Sequence, residues 1–346
     1  MTKADAPFVE ASPVASPTST SEIESKPMVS LADLVGGPMT AAEAPGLPGE
    51  PHEHSGLLER CLTLLAVLLP PAALIAAIIL LWGPGFGWTS FGLLIGGYML
   101  TGMGITVGYH RYFTHKSFET NVVVKAALGI LGSMSVQGSL LRWAATHRSH
   151  HQHSDRADDP HSPHTHGSGF WNRVRGAWHS HMGWFIRPNR DTLMRYVPDL
   201  QQDRLTRVIS NLFPLWVLLG LLIPAAIALA ITGTWTGALL GLLWGGLVRI
   251  LMVHHITWSV NSVCHLWGNR PYKSHDHSRN NAIFGVLAFG EGWHNNHHAF
   301  PTSARHGLKW WQFDMSYMVI RCMGWVGLAK EIRVPNQSRR HAKTVA

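Results

Sequence analysis

The 346-residue sequence has little cysteine. Its three cysteines, Cys61, Cys264 and Cys322, lie far apart and form no Cys-x-x-Cys pair. This scarcity argues against a disulfide framework, a thiolate metal site and an iron–sulfur cluster. Charged residues make up only 14% of the chain, and the apolar residues gather in runs of about twenty rather than spreading as in a soluble core. A soluble enzyme is therefore not expected.

Four apolar segments are each long enough to cross a bilayer as a helix, at about 1.5 Å per residue and about 30 Å of hydrocarbon. They are residues 61–82, 88–109, 212–231 and 235–253. Short linkers join the first segment to the second and the third to the fourth, which predicts two helical hairpins. A fifth apolar stretch, 122–141, is interrupted by Lys125 and Gln137, and we expect it to lie in the membrane plane or inside the protein.

Charge is distributed unevenly along the chain. Residues 1–60 carry three Lys/Arg and nine Asp/Glu, whereas residues 110–207 carry 13 and seven, and residues 258–346 carry 11 and four. Both basic blocks flank apolar segments, which is typical of cytoplasmic loops that follow the positive-inside rule. Nucleic acid is therefore not an expected partner, and four crossings would place both termini and both basic blocks in the cytoplasm.

These features predict an all-α, multi-pass integral membrane protein. Residues 1–56, rich in Pro, Ala, Ser, Thr and Glu, are expected to be disordered. Residues 57–335 are expected to form one membrane domain, with four transmembrane helices under a cytoplasmic helical cap made by 110–207 and 258–335. Residues 336–346 form a basic C-terminal tail.

Histidine is abundant, with 23 residues, and nine of these form a pattern near the ends of the apolar segments. Spacings of i, i+3, i+4 place imidazoles on one helical face, whereas a spacing of i, i+5 suits a helix end, where the last ligand leaves the helical path. The pattern consists of His110 and His115; of His147, His150 and His151; of Asn261 and His265; and of His294, His297 and His298.

Imidazole ligands suit zinc, copper, iron and nickel alike. Eight or nine histidines with little carboxylate are, however, too many for one tetrahedral zinc site. The number suits two redox metals that activate dioxygen toward a hydrocarbon C–H bond, which acid–base chemistry cannot attack. A non-enzymatic membrane metal-binding protein is the alternative, but a transporter should place histidines inside its spans, and here the groups lie beyond the span ends.

With their flanking residues, these motifs resemble the membrane-bound fatty acyl desaturases. The strings HRYFTH, HRSHH and HNNHH, with NSVCH between the last two, match that family's histidine boxes, and GYHRYFTHKSF, DPHSP and GEGWHNNHHAFP are similar to its Δ9, stearoyl-CoA desaturase-like branch of bacterial type. The resemblance covers roughly residues 60–335. It implies four transmembrane helices under a cytoplasmic cap, with a di-iron centre of two Fe2+ ions held by the nine histidines, and with Asn261 reaching a metal through water.

The resemblance also implies an activity, with no catalytic residue beyond the metal ligands. The enzyme would use O2 to insert a cis double bond, at Δ9, into a C16–C18 saturated acyl chain carried as acyl-CoA or acyl-lipid. Its electrons would come from a separate donor of the ferredoxin, rubredoxin or cytochrome b5 type with its reductase, because the sequence has no haem motif and no cysteine-rich cluster. The alternative within the enzymes is a di-iron hydroxylase of fatty acids or alkanes.

The family's substrate tunnel has counterparts in this sequence. Residues that bend the acyl chain at the metals would be Gln137, Trp143, Thr257 and Trp258, and residues that close the far end would be Tyr98 and Gly102. Glycine at that end leaves room for a C18 chain.

One departure concerns the acyl carrier. Animal acyl-CoA members carry Arg-Asp before the second box and an asparagine nearby, whereas this chain has Ala145, Thr146 and Gly138. Part of the CoA clamp is therefore missing, and the sequence leaves CoA and membrane lipid as alternatives.

Overall fold

The computed structural model describes residues 57–81, 86–185 and 193–345. The segment 1–56, expected to be disordered, lies outside the described residues, as do Trp82 at the end of the first apolar segment and residues 186–192 of the expected cap. Nearly all regular structure in the described ranges is helical, which confirms the mainly helical fold class.

The apolar segments lie in long helices. Helix α1 is Leu57–Leu81, α2 is Trp88–Met103 followed by a π-helix, π1, at Gly104–Thr114, and α8 is Phe213–Thr232. The fourth apolar segment begins as α9, Trp235–Leu240. It continues through a second π-helix, π2, at Gly241–Val248, into α10, Arg249–Leu266.

Shorter helices make up most of the remaining structure. They are α3, Val122–Ser133; α4, Leu140–His153; α5, Phe170–His181; α6, Pro198–Gln202; α7, Arg204–Asn211; α11, Ala282–Leu287; α12, His294–Ala299; α13, Met315–Trp325; and α14, Gln337–Lys343, with two 3-10 turns at Gly183–Phe185 and Leu193–Tyr196. Two short strands, β1 at Glu119–Thr120 and β2 at Ala329–Lys330, pair antiparallel, with Glu119 opposite Lys330 and Thr120 opposite Ala329.

Three of the described helices are long and apolar enough to cross a membrane. They are Trp88–Thr114, Phe213–Thr232 and Trp235–Leu266. Cys61–Ala76, within the first predicted segment, and Val122–Ser133 are shorter apolar helices. The second and fourth helices extend well past the predicted ends at 109 and 253, so their C-terminal turns carry His110 and His265 beyond the apolar segment.

Glycine allows α3 to lie directly against π1. A Cβ atom at Gly104 would come within 2.2 Å of the Gly132 backbone nitrogen, and one at Gly108 would come within 2.9 Å of the Leu128 carbonyl oxygen. Small residues permit such close backbone contact between helices. The interrupted stretch 122–141 thus forms a 12-residue helix packed on the second long helix, followed by a turn that contains Gln137.

The described residues of the predicted basic tail, 336–345, pack on the rest of the domain. The Asn336 side chain caps α14 by accepting a hydrogen bond from the Arg339 N–H. Lys343 Nζ donates to the Ala299 carbonyl at 2.7 Å and lies over the Phe300 ring. Helix α14 therefore covers the segment just after the HNNHH motif.

An arginine is completely buried at the start of α10. Arg249 is 1% exposed and donates to three carbonyl oxygens, those of Met134 at 2.6 Å, Gly220 at 2.8 Å and Gly245 at 3.1 Å. Pro224 lies inside α8, and because proline has no N–H, the Gly220 carbonyl four residues earlier has no intrahelical donor. Arg249 supplies this donor and ties α8, π2 and the end of α3 together.

We predict that Arg249→Met lowers the stability of the folded protein. It would leave the Met134 and Gly220 carbonyls without their donor, at a cost of about 1–3 kcal/mol for each buried acceptor. The measurement is the temperature at which the detergent-solubilised protein loses its monodisperse size-exclusion peak. Arg175→Met, at an exposed position of α5, is the matched control, and equal midpoints for the two variants would contradict the assigned role.

Candidate metal centre

The nine histidines of the pattern meet in two clusters, each with ligand atoms within 4.8 Å of one another. The five-imidazole cluster contains His110, His115, His147, His151 and His297, and the four-imidazole cluster contains His150, His265, His294 and His298. The two clusters adjoin, since the rings of His151 and His298 stack at 4.5 Å between centroids. Two metal ions held by these clusters would therefore be neighbours.

The two HxxHH motifs each divide between the clusters. On α4, His147 and His151 join the five-imidazole cluster while His150 points into the other. On α12 the assignment is reversed, with His294 and His298 in the four-imidazole cluster and His297 in the five-imidazole cluster. Positions i and i+4 are about 40° apart around a helix, whereas i+3 and i+4 differ by about 100°. Each short helix therefore supplies ligands to both clusters.

The π-helix brings the first motif into the site. His115 N–H donates to the His110 carbonyl at 3.1 Å, an i to i−5 bond, so the wider turn keeps residues five apart on one side. His115 is the C-cap of this π-helix, which ends at Thr114, in keeping with the expected helix end. π-helical turns often occur at functional sites.

Ring nitrogens face one another across the five-imidazole cluster. His297 Nε2 lies 3.0 Å from His110 Nε2 and 2.8 Å from His151 Nε2, and His151 Nε2 lies 3.0 Å from His147 Nε2. The Nδ1 atom of His110 donates to Glu291 at 2.6 Å, so in a neutral ring its Nε2 carries a lone pair aimed at the other nitrogens.

The four-imidazole cluster has the same arrangement. His265 Nδ1 donates to Asp155 at 2.9 Å, and its Nε2 lies 3.0 Å from His294 Nε2. The Nε2 atoms of His150 and His298 are buried and have no hydrogen-bond partner in the described part of the chain. A cation among these nitrogens would satisfy them.

The residues thus fit a metal of the kind the sequence implies. A first-row divalent ion binds imidazole nitrogen at about 2.1 Å, so ligands at right angles lie about 3.0 Å apart and tetrahedral ligands about 3.4 Å apart. The nitrogen distances of 2.8 to 3.0 Å match the first arrangement. The imidazoles therefore fit a first-row divalent metal ion.

Burial sets the protonation state of several ligand candidates. It holds the pKa values of His147, His151 and His297 well below the ordinary histidine value, and the neighbouring imidazoles act in the same direction. Burial likewise lowers the pKa of His298 to about 4. At neutral pH these rings are uncharged, which is the form that binds a metal.

Four buried carboxylates orient imidazoles of the clusters by accepting hydrogen bonds from their Nδ1 atoms. Asp159 accepts from His150 Nδ1 at 3.0 Å, Asp276 accepts from His298, and Asp155 and Glu291 accept from His265 and His110. Burial alone would raise the carboxyl pKa values, but the imidazoles, together with Arg111 beside Glu291, hold them below the ordinary range. Such partners fix the tautomer and the direction of a ligating ring.

Local turns place these carboxylates. Asp155 follows the end of α4 with φ 61°, and its N–H donates to the Asp159 side chain at 2.8 Å. The Asp155 carboxylate also accepts from the Ser162 hydroxyl and the His277 N–H. Asp155 and Asp159 follow the second histidine motif and Glu291 precedes HNNHH, whereas Asp276 belongs to no motif.

Two buried histidines adjoin the clusters without belonging to the pattern. The His161 ring lies 4.2 Å from that of His150, and the His306 ring lies 4.5 Å from that of His297. His306 Nδ1 is 3.3 Å from a Glu291 oxygen. His306 belongs to no sequence motif. The path of the loop after α12 brings it next to the HNNHH motif.

A cavity of about 1070 Å3 reaches the centre. Four predicted tunnel residues, Gln137, Trp143, Thr257 and Trp258, line it, and so do His147 and Asn261. The tunnel residues are linked by hydrogen bonds: Gln137 Nε2 donates to Thr257 Oγ1 at 2.6 Å, and Trp143 Nε1 donates to Gln137 Oε1 at 3.3 Å. An apolar ligand in this cavity would pass beside the clusters.

Tyr98 and Gly102 lie elsewhere. Neither is among the residues that line the cavity; both contact Phe289, whose ring would lie 2.4 Å from a Cβ atom at Gly102. The Tyr98 hydroxyl donates to the Leu287 carbonyl. The space left by Gly102 is thus filled by Phe289 and adds no length to the cavity.

Comparison with known proteins places these residues in a family. The model of the fatty acid desaturase family matches residues 86–321, which include all nine histidines. The chain is 42% identical to hex-5-enoyl-[acyl-carrier protein] acetylenase of Moorena producens, over 82% of this chain and 89% of that protein. It is 38% identical to the palmitoyl-monogalactosyldiacylglycerol delta-7 desaturase of Arabidopsis thaliana, over 74% and 65%. It is also 38% identical to the sn-1 stearoyl-lipid 9-desaturase of a Synechocystis species, over 73% and 74%.

Arg111 lies next to the clusters and is fully buried. It forms ion pairs with Glu291 at 2.7 Å and with Asp314 at 3.0 Å. Arg111→Met would leave two buried carboxylates without their cation and cost about 3–5 kcal/mol. Arg111→Lys would recover only part of this loss, because a single ammonium group cannot bridge both carboxylates as a guanidinium does.

The thermal midpoint of the purified protein in detergent tests this order. We expect wild type to exceed Arg111→Lys, and Arg111→Lys to exceed Arg111→Met. A lysine variant as stable as wild type would show that the bridge is not required.

Proposed function

This chain belongs to the fatty acid desaturase family and is an oxidoreductase, and from that premise we propose that it inserts a cis double bond at Δ9 of a C16–C18 acyl chain. The observation that carries the proposal is the meeting of five and four imidazoles beside one large cavity. The overall change is CH2–CH2 + O2 + 2 e− + 2 H+ → CH=CH + 2 H2O.

We propose that the two clusters each hold one Fe2+ ion, with Asn261 contributing through a water molecule at the four-imidazole cluster. Asn261 lies one helical turn before His265 on α10 and lines the cavity, which supports this position. When bound, the two irons would activate O2, which is the oxidant that removes two hydrogens from an unactivated alkyl chain. The chain's own residues bind and orient the substrate.

Positioning is the chain's main contribution, since neighbouring methylene groups differ only in where they lie. The side chains of Gln137, Thr257 and Trp143 are linked by hydrogen bonds and form a polar patch on the cavity wall. An acyl chain has no hydrogen-bonding group to pair with this patch and would bend around it. Trp143 also stacks on His147 at 5.1 Å between centroids, so the bend would lie next to the five-imidazole cluster.

We further propose four transmembrane helices, with α1 as the first, and a cytoplasmic cap. The 32-residue helix Trp235–Leu266 exceeds 40 Å at about 1.5 Å per residue, more than the roughly 30 Å hydrocarbon core. Its C-terminal turns, with His265, would therefore project from the membrane. The basic balance of 110–207 and 258–346 favours the cytoplasmic side for this cap and for both termini.

A membrane lipid is the acyl carrier that we propose. The cavity is lined by Leu62, Leu65 and Leu69 of α1 and by Phe213 and Val217 of α8. These belong to apolar helices, and the three α1 leucines are 42 to 55% exposed, so the cavity has a wall at the level of the bilayer. Two relatives are named as acting on lipid-bound acyl chains.

We propose a separate electron donor that docks on the cap. The three cysteines are dispersed, with Cys264 buried and Cys61 and Cys322 exposed, and the sequence contains no haem motif. A carrier of the ferredoxin, rubredoxin or cytochrome b5 type, with its reductase, would supply the two electrons.

The test is expression in a desaturase-deficient host together with a ferredoxin and its reductase, followed by gas chromatography–mass spectrometry with double-bond mapping. We expect new cis-9 monoenes that appear first in membrane lipids. Appearance first in acyl-CoA would overturn the lipid carrier, hydroxy acids would indicate the hydroxylase, and an unchanged profile with the donor present would contradict the proposal.

Replacing one ligand candidate in each cluster tests the metal assignment. His150→Ala and His297→Ala are each expected to abolish the monoene and to lower the iron content from two atoms per chain toward one, while the protein still inserts into membranes. His341→Ala, at an exposed position on α14, is the matched control and should keep both product and iron. Full activity in either cluster variant would refute the ligand set.

A further inference from the structure

The four-imidazole cluster is surrounded by carboxylates. Three of its four rings donate through Nδ1 to an aspartate: His150 to Asp159, His265 to Asp155 and His298 to Asp276. These carboxylates are 0 to 2% exposed. In the described part of the chain, their ion pairs are all with histidines.

The five-imidazole cluster has much less negative charge around it. Among the described residues, only His110 of this cluster donates to a carboxylate, that of Glu291. The Nδ1 atom of His297 is buried and has no hydrogen-bond partner among the described residues. Glu291 also shares its charge with the buried Arg111, which binds Asp314 as well, so these three side chains together carry one negative charge.

The two clusters thus differ both in their ligands' partners and in local charge. A carboxylate that accepts from the Nδ1–H of an imidazole makes the other nitrogen a stronger donor, and loss of such a partner typically lowers metal affinity by about 10- to 100-fold. Buried negative charge also stabilises a divalent cation directly. Both effects favour metal binding at the four-imidazole cluster, because its rings donate to three aspartates whereas those of the other cluster donate to one glutamate.

We propose that the two metal sites are unequal, with the four-imidazole cluster binding its divalent ion more tightly and filling first. The inference rests on the proposed di-iron centre and concerns Asp155, Asp159 and Asp276 as the residues that create the difference. The fifth imidazole of the other cluster adds a neutral ligand, which does not replace two missing carboxylates.

The experiment follows the loss of iron from the whole protein. Detergent-solubilised protein loaded anaerobically with two equivalents of Fe2+ is mixed with excess ferrous chelator, and release is followed by absorbance, with total iron measured by mass spectrometry. We expect two phases of one iron each, whose rates differ by about 10-fold or more. Activity is not part of the readout.

Variants assign the phases. His115→Ala, in the five-imidazole cluster, should remove the fast phase and keep the slow one. Asp276→Asn and Asp155→Asn should accelerate the slow phase by about 10- to 100-fold and leave the fast phase unchanged. The matched control is Asp203→Asn, because Asp203 caps α7 and pairs with Lys125 outside the clusters, and asparagine caps a helix equally well.

The outcomes separate this inference from the proposed function. Release of both irons at one rate from active wild-type protein would overturn the inequality and leave the desaturase proposal intact. An Asp276→Asn variant that accelerates the fast phase instead would reverse the assignment. Failure of wild type to retain two irons would contradict the di-iron centre itself. Should the aspartate variants not fold, the wild-type release curve and His115→Ala still decide the matter.

Discussion

The burial of facing imidazole nitrogens is the constraint on which the rest of the structure depends. Ring nitrogens that face one another at about 3 Å, as those of His110 and His297 do, are all satisfied together when a cation binds their lone pairs. Buried carboxylates behind four of the rings supply the opposite charge and fix their tautomers. Two divalent ions would balance the charge of those four carboxylates.

The position of the first pair of histidines depends on an unusual backbone conformation. An α-helix would separate His110 and His115 by about 140° around its axis, and the π-helix at Gly104–Thr114 reduces that angle. Gly104 and Gly132 allow α3 to pack closely on this segment. A second π-helix, Gly241–Val248, leads into α10 and His265. Two long helices thus carry ligand candidates at their C-terminal ends.

The same elements join the metal centre to its substrate cavity. Helix α10 carries Thr257, Trp258 and Asn261 on the cavity wall and His265 in the four-imidazole cluster, so movement of this helix would shift both. Arg249 at its N-terminus holds α8 and the end of α3 through carbonyl contacts. The donor groups of Arg249 therefore help to hold α10 in place, and with it the cavity-lining residues and His265.

The sequence alone determined the chemical inventory. Spacing identified all nine histidines, and apolar runs located the long helices, because helical periodicity and hydropathy are local properties. The division of each HxxHH motif between two clusters, the part played by Asp276 and the contact of Phe289 with Tyr98 and Gly102 were decided only by the tertiary structure. They depend on how α4, α10 and α12 cross and on loops whose paths are set by contacts between residues distant in the chain.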